Sequence, residues 1–197
     1  MKLIVISGGL REPSSTRLLA DRLGAAVRAE LASGDIEADI EVIELRQFAR
    51  AITDAMLAGF ASPELEEVFD AIAGCDGVIA VTPTFNATFS GLFKSFFDVL
   101  PEQTLEGTPV LIAATGGTER HSLVLDHALR PMFCYLHALV SPTGVFAATS
   151  DFGAQGLSVR ITRAANDFTA LLRRCGPSRS GAAGKEIDEI QRLLAGV

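Results

Sequence analysis

The chain has 197 residues, of which 48% are hydrophobic and 21% are charged, a composition that suits one domain with a substantial buried core. Its formal net charge is −7 and its pI is about 5.0, so it lacks the positive field that attracts nucleic acid or anionic membranes. The apolar run from Leu3 to Ile6 is too short for a signal peptide, and no later run predicts a membrane span. The sequence therefore predicts a cytoplasmic protein that binds neither nucleic acid nor membrane.

The cysteines and histidines show no pattern typical of a disulfide framework or a metal site. Cys75, Cys134 and Cys175 are widely spaced and include no C-x-x-C pair. The histidines lack the i, i+4 spacing that places two metal ligands on one helix face. We therefore expect buried, reduced thiols and no bound metal.

Strand and helix patterns alternate along the chain. Four continuous apolar runs predict parallel strands covered on both faces, at residues 2–7, 77–82, 108–115 and 144–149. Residues 40–45 alternate apolar and acidic side chains, which predicts a strand at the sheet edge. Five strands separated by helices predict a three-layer α/β sandwich with right-handed crossovers.

Helical spacing of apolar residues covers most of the segments between the strands. The predicted helices lie at about residues 14–31, 62–74, 92–100, 122–137 and 156–174. Ser62 and Pro63 begin the second of these helices and Gly74 ends it, whereas Pro131 demands a kink or a break in the fourth. Residues 46–62 are expected to be irregular. The helix at 92–100 has more Phe and Leu than one core face needs, which favours a subunit interface.

The composition changes near the end of the chain. Residues 175–185 are rich in Gly, Ala and Ser, which is typical of a linker, and a short helical pattern follows. We therefore predict a folded domain at residues 1–175, and a flexible linker with a short helix at residues 176–197.

Three segments that follow strands share one polar, small-residue character. They are residues 7–17, 82–90 and 115–121. Ligands of open α/β sheets bind outside the carboxyl ends of the strands. Three such segments of one chemical type predict a single ligand that spans all of them.

The first segment, SGGLREPSSTR, has the chemistry of a phosphate site. A helix that begins near Ser14 directs free N–H groups and a positive dipole end at an anion. Arg11 can bind two phosphate oxygens, while Ser14, Ser15 and Thr16 add hydroxyl donors. The Gly-Gly pair permits a tight turn. The alternative is an ordinary N-capped helix with solvated arginines.

The second and third segments supply the other candidate residues, which are Pro83, Thr84, Phe85, Asn86, Ala87, Thr115, Gly116 and Gly117. Their small residues would let backbone groups approach a flat ligand, and Asn86 can both donate and accept hydrogen bonds. Phe85 either offers an aromatic face or anchors the loop in the core. Walker A, G-x-G-x-x-G and G-x-S-x-G motifs are all missing from the strand ends, which excludes P-loop, dinucleotide-fingerprint and hydrolase sites.

The first two segments resemble motifs of the NAD(P)H-dependent FMN reductase family, within the flavodoxin-like superfamily. SGGLREPSSTRLL resembles the family's SGSLR-x-x-S-x-N phosphate loop, and TPTFNATFSGLFKSFFD resembles its flavin loop and following helix. The resemblance covers about residues 2–150 and implies a flavodoxin-like, five-stranded parallel sheet of order 2-1-3-4-5. The chain departs from the family pattern at Gly9 (often Ser), Thr16 (Asn) and Thr84 (Glu).

The resemblance implies bound FMN that accepts hydride from NADPH or NADH. The reduced flavin then passes electrons to free flavin, a quinone or another acceptor, or itself leaves. It implies that Gly9, Arg11, Ser14, Ser15 and Thr16 surround the phosphate and that the second and third segments line the rest of the flavin. No catalytic side chain is required, because the flavin performs the chemistry. Arg17, Arg120 and His121 are candidates for steering the nicotinamide cofactor, with solvated surface charge as the alternative.

The partners implied by the resemblance are a flavin-dependent monooxygenase of the luciferase-like type and further copies of this chain, in a homodimer or homotetramer. An alternative function remains open on the residues alone. A flavodoxin-type electron carrier, or an FMN-binding accessory protein, would bind the same cofactor without nicotinamide turnover. Flavodoxins tend to use a shorter phosphate loop without Arg and a Trp or Tyr beside the ring, whereas this chain has Arg11 and no Trp.

Overall fold

The computed structural model describes residues 1–177 and contains one sheet between two layers of helices. The strands are β1 (Lys2–Ser7), β2 (Asp39–Glu44), β3 (Gly77–Phe85), β4 (Thr88–Phe89), β5 (Pro109–Gly116), β6 (Leu139–Val140) and β7 (Val145–Ala148). The α-helices are α1 (Ser15–Ala32), α2 (Ala49–Ala58), α3 (Pro63–Ala73), α4 (Gly91–Val99), α5 (Arg130–Tyr135) and α6 (Gln155–Cys175). The predicted α/β sandwich and its five main strand positions are confirmed.

The parallel strands lie in the order β2-β1-β3-β5, and β6 and β7 share the fifth position beside β5. The order 2-1-3-4-5 is therefore confirmed, but the fifth strand is broken into two pieces. Pro142 lies between the pieces and has no N–H to donate to the ladder. A Cβ on Gly144 would lie 3.1 Å from the backbone oxygen of Ile112, so the chain passes close to β5 at the break.

Each face of the sheet has its own apolar core. On one face α1 and α6 pack on the alternate residues Leu3 and Val5 of β1. On the other face α2, α3, α4 and α5 pack on Ile4 and Ile6. Because the parallel strands are covered on both sides, they read as continuous apolar runs.

Most helices begin and end close to the positions that the sequence predicts. The Ser62 hydroxyl caps α3 by accepting from the Leu65 N–H, and Gly74 follows the last turn of that helix. Residues 46–62 contradict the prediction, since they contain a 3₁₀ turn (Leu45–Phe48) and the helix α2. The start of α2 has no side-chain cap, so the usual start signal is missing there, although Gly59 follows the last residue in the left-handed conformation that ends many helices.

The predicted helix at 122–137 contains an irregular turn just before Pro131. A π-helical turn (Leu125–Leu129) runs directly into α5, and Pro131 is the second residue of α5. Proline has no N–H to donate to the preceding turn, and π turns are common where the regular helical hydrogen bonds are disturbed. The helical backbone therefore continues through the proline, with the irregular turn on its N-terminal side.

The aromatic residues of α4 pack within this chain rather than on its surface. Phe93, Phe96 and Phe97 are buried, and their rings contact one another and the ring of Phe133. The apolar residues of α4 are therefore accounted for by the internal core. The composition of this helix does not by itself indicate a subunit interface. The exposed apolar side chains include Met56, Leu57 and Phe60, on and just after α2.

The predicted linker and short helix at 176–197 lie, apart from Gly176 and Pro177, outside the described residues. The predicted domain boundary at 175 coincides with the end of α6 at Cys175. Within residues 1–177, no helix has the length and apolar character needed to cross a membrane.

The expectation of buried thiols holds only for Cys75, because Cys134 and Cys175 are exposed. Cys75 is 2% exposed, and its burial raises the pKa of its thiol to about 11. We expect Ellman's reagent at pH 8 to react quickly with two thiols of the native protein and with the third only after unfolding. The Cys134→Ser/Cys175→Ser double variant should show no fast reaction. Fast reaction of that variant would contradict the buried position of Cys75.

Candidate functional site

The three polar segments meet because β1, β3 and β5 are neighbours that run in the same direction. Their carboxyl ends therefore lie at one edge of the sheet. The Gly8 N–H donates to the Val81 oxygen at 2.8 Å and holds the first segment against β3. All thirteen candidate residues of the predicted site lie at or beyond this edge.

The first segment turns into the N-terminus of α1 at Ser14. The Ser14 hydroxyl accepts from the Arg17 N–H at 3.2 Å, which leaves the hydroxyl proton free to donate elsewhere. The first amides of a helix have no acceptor within it, so this end presents N–H groups to an anion. A Cβ on Gly9 would lie 2.2 Å from the Ser14 Oγ, so a larger residue here would displace this hydroxyl from its capping position.

Arg11 and Ser15 are exposed beside this helix end, whereas Thr16 is buried. The Oγ1 atoms of Thr16 and Thr115 are 2.8 Å apart and share a hydrogen bond that joins the first segment to the third. In this pair one proton is used between the two hydroxyls and the other remains to be donated. The main contact of the Thr16 side chain therefore connects the first segment to the third.

The second segment, expected to be a loop, is a hairpin. Strand β3 continues to Phe85, and β4 pairs antiparallel with it. Asn86 and Ala87 form the two-residue turn with φ of 47° and 68°. Positive φ at both positions matches the twist of a tight hairpin, and it costs about 1 kcal/mol for Ala87. Phe85 is 44% exposed, which excludes its alternative role as a core anchor.

Thr82 and Ser90, which are not among the predicted site residues, fix the base of the hairpin. The Thr82 hydroxyl accepts from the Ser90 N–H at 3.1 Å and donates to the Pro83 oxygen at 3.0 Å. The Ser90 hydroxyl in turn accepts from the Phe93 N–H and caps α4. Both hydroxyls are buried, so the hairpin stands on a hydrogen-bonded base.

The edge where the three segments meet includes buried hydroxyls that have no hydrogen-bond partner within the described residues. Among residues 1–177, the hydroxyl oxygens of Ser7, Thr84 and Ser141 are buried and have no hydrogen-bond partner. Ser7 ends β1 and Thr84 lies at the end of β3, at the edge where the three segments meet. Unpaired buried hydroxyls are costly, and a polar ligand can supply the partner. Ser7 was missed; its signal is a hydroxyl residue that ends an apolar strand.

The third segment begins at Thr115 with two glycines in different environments. A Cβ on Gly116 would lie 2.8 Å from the Phe146 ring, so this glycine is required by packing. A Cβ on Gly117 would meet nothing within 4 Å. Arg120 and His121 follow in a short 3₁₀ turn, Glu119–His121.

Arginines near the first segment differ in their pairing. Arg17 forms ion pairs with Asp21 at 2.8 Å and Glu44 at 2.7 Å, and the Asp21 hydrogen bond together with both charges raises the pKa of Arg17 above its usual value. Arg11 has no ion pair within the described part of the chain. In that same part, no three His, Cys, Asp or Glu side chains come together as possible metal ligands. A cavity of about 780 Å³ lies at the opposite edge of the sheet, near Cys75 and Thr108, and does not belong to this site.

A family model described as NADPH-dependent FMN reductase matches residues 1–153, which include all three segments. The chain belongs to this family. The FMN reductase (NADPH) of Pseudomonas aeruginosa is 39% identical over 175 residues, which are 86% of this chain and 91% of that protein. An NADH-dependent FMN reductase of Pseudomonas fluorescens is also 39% identical, over 87% of this chain and 91% of its own length.

A solved oxidoreductase structure from Corynebacterium diphtheriae has a TM-score of 0.85 and 44% identity, over 88% of this chain and 97% of that chain. Family membership confirms the predicted oxidoreductase class, with FMN and a nicotinamide as cofactors. The arrangement fits FMN, since one edge offers a helix N-terminus for a phosphate and unpaired hydroxyls for the polar atoms of the flavin.

We expect Gly9→Ala to displace the Ser14 hydroxyl, because the new methyl group would lie 2.2 Å from it. Loss of this cap should cost about 1 kcal/mol of stability and weaken FMN binding about tenfold. Thermal unfolding and flavin fluorescence titration measure the two effects. Gly117→Ala is the matched control and should leave stability within about 0.5 kcal/mol. Equal effects of both substitutions would contradict the close packing at Gly9.

Proposed function

We propose that this chain reduces FMN with NADPH or NADH and passes the electrons to free flavin or a quinone-like acceptor. The observation that carries the proposal is the N-terminus of α1, which opens at the carboxyl edge of the sheet among Arg11 and hydroxyl residues. An 18-residue helix favours a phosphate at its N-terminus, where the first amides have no acceptor within the helix. The family assignment supports the same ligand.

In the proposed site, the phosphate of FMN is held by Arg11, by the free hydroxyl protons of Ser14 and Ser15, and by the first amides of α1. Arg11 is exposed and has no ion pair within residues 1–177, so its guanidinium is available for two phosphate oxygens. Thr16 contributes through its link to Thr115 and through the one proton that this pair leaves free. Gly9 keeps the backbone close to the cap.

The remaining candidate residues border the rest of the flavin in this proposal. The hairpin contributes Pro83, Thr84, Asn86 and Ala87, and the third segment contributes Thr115 to Gly117. The buried hydroxyls of Ser7 and Thr84 gain partners from the polar atoms of the ligand. The turn at Asn86 and Ala87 holds its backbone groups in one conformation, which lowers the ordering cost of binding. The exposed Phe85 ring borders the side from which the nicotinamide approaches.

Bound FMN supplies the chemistry, hydride uptake from the nicotinamide and electron transfer to the acceptor, and the chain's own residues bind and orient it. No side chain needs to act as an acid, a base or a nucleophile. Arg120 and His121 are candidates for steering the nicotinamide cofactor toward this edge.

We further propose that the reduced flavin itself leaves the site and is delivered to a flavin-dependent monooxygenase, and that the chain works in the cytoplasm as a homodimer or homotetramer. Flavin reductases that exchange their flavin supply a second enzyme by diffusion, so a rigid complex with the monooxygenase is not needed. Light scattering of the purified protein tests the oligomeric state, and a monomer would contradict that part.

We expect Arg11→Ala to weaken FMN binding about 10- to 100-fold, because a charge-assisted contact to the phosphate is lost. Riboflavin has no phosphate, so its affinity should change less than about twofold. Fluorescence titration with both flavins measures the difference. Arg174→Ala is the charge-matched control, since Arg174 is exposed at the end of α6, by the opposite edge of the sheet. Equal losses for FMN and riboflavin would remove Arg11 from the phosphate site.

We expect the wild-type chain to oxidise NADPH or NADH when FMN is added, because family members transfer hydride to this flavin. Absorbance at the nicotinamide band, followed with each cofactor in turn, measures the activity and the preference. FMN binding without turnover of either nicotinamide would contradict the reductase and favour an electron carrier.

A further inference from the structure

A chain of ion pairs borders the first segment. The Glu12 carboxylate, within that segment, pairs with Arg46 at 3.1 Å, and Arg46 pairs with Glu44 at 3.1 Å. Glu44 also pairs with Arg17 at 2.7 Å, and Arg17 pairs with Asp21 at 2.8 Å. Two arginines beside the proposed phosphate site are therefore shared among three carboxylates.

Glu44 is the centre of this chain. Its Oε1 accepts from Arg17 and its Oε2 accepts from Arg46, so each carboxylate oxygen holds one guanidinium. The side chain is only 15% exposed, whereas those of Glu12 and Asp21 are 77% and 47% exposed. A mostly buried carboxylate interacts with neighbouring charges more strongly than an exposed one.

The sheet places Glu44 next to the proposed site. Glu44 is the last residue of β2, and its register partner on β1 is Ser7, the last residue before the phosphate segment. Neighbouring strands lie about 4.8 Å apart, so the backbone of Glu44 lies one strand away from the start of that segment.

Both arginines lie beside the first segment. Arg17 follows the cap residue Ser14 by three positions, within the first turn of α1. Arg46 already contacts Glu12 within the segment itself. In the present arrangement their charges are compensated by carboxylates, and Arg11 is the arginine without an ion pair in this part of the described chain.

We propose that Glu44 is a positioning residue that weakens the phosphate site, so that FMN is exchanged as a substrate and is not retained as a permanent group. The proposal rests on the proposed function above and explains how a flavin reductase can release its flavin. The carboxylate acts in two ways. It holds Arg17 and Arg46 away from the phosphate, and its own negative charge opposes the phosphate dianion.

The test is Glu44→Gln, which keeps the shape and removes the charge. At low salt we expect FMN to bind about three- to tenfold more tightly, as expected for one charge removed at about 10 Å from a dianion near a protein surface. Riboflavin affinity should change less than about twofold. The gain for FMN should shrink as salt is added, the FMN dissociation rate should fall, and the KM for FMN should fall with it.

Asp21→Asn is the matched control, because Asp21 pairs with the same Arg17 but is exposed one turn farther along α1. We expect it to change FMN affinity less than about twofold. The double variant Arg17→Gln/Glu44→Gln removes one charge of each sign, and its FMN affinity should return to within about twofold of wild type. If Glu44→Gln alone does not fold, the double variant is compared with Arg17→Gln, and the proposal requires the double variant to bind FMN more tightly.

Weaker or unchanged FMN binding by Glu44→Gln would overturn the proposal and indicate that the ion pairs only shape the segment. An equal change for FMN and riboflavin would overturn it as well. Failure of the wild-type chain to bind FMN would instead contradict the proposed function, so the two failures are distinguishable.

Discussion

The hydroxyl groups of Thr16 and Thr115 lie 2.8 Å apart inside the protein and connect the first turn of α1 to the end of β5. This contact fixes the distance between the proposed phosphate segment and the third segment, with the end of β3 between them. It requires β1, β3 and β5 to be adjacent and parallel, since only then do their carboxyl ends reach the same edge. The apolar cores on both faces of the sheet hold that arrangement, and the polar edge is built on top of them.

The polar edge combines groups that are satisfied with groups that are not. Thr82, Ser90 and the Ser14 cap use their hydroxyls to fix the backbone of the site. Ser7 and Thr84 keep buried hydroxyl oxygens without partners, and Ala87 holds an unfavourable φ. Such costs are common where a protein is organised in advance for a ligand. The rigid base and the unpaired groups together make the edge suitable for a flavin, whose own chemistry then needs only orientation.

The charges around α1 bear on how tightly the proposed site holds the phosphate of a flavin. Arg11 lies exposed at the segment, while Arg17 and Arg46 are held by Glu44 from the neighbouring strand. On the proposal made for Glu44, Arg11, the hydroxyls and the dipole of α1 recognise the phosphate without holding it permanently. The proposed delivery of flavin to a second enzyme requires that release.

The sequence by itself determined the alternation of strands and helices, the helix starts at Ser14 and Ser62, and the composition of the three polar segments. Those features depend on periodicity and on capping, which act between residues a few positions apart. Only the tertiary structure decided that α2 is a helix, that β3 and β4 form a hairpin, and that the fifth strand is broken at Pro142 and Gly144. It also decided the partner of Thr16, which is 99 residues away, and the position of Glu44 beside Ser7. The physical reason is that the last two features depend on contacts between distant parts of the chain, whereas the hairpin turn at Asn86 and Ala87 lacks the glycine that usually signals such a turn.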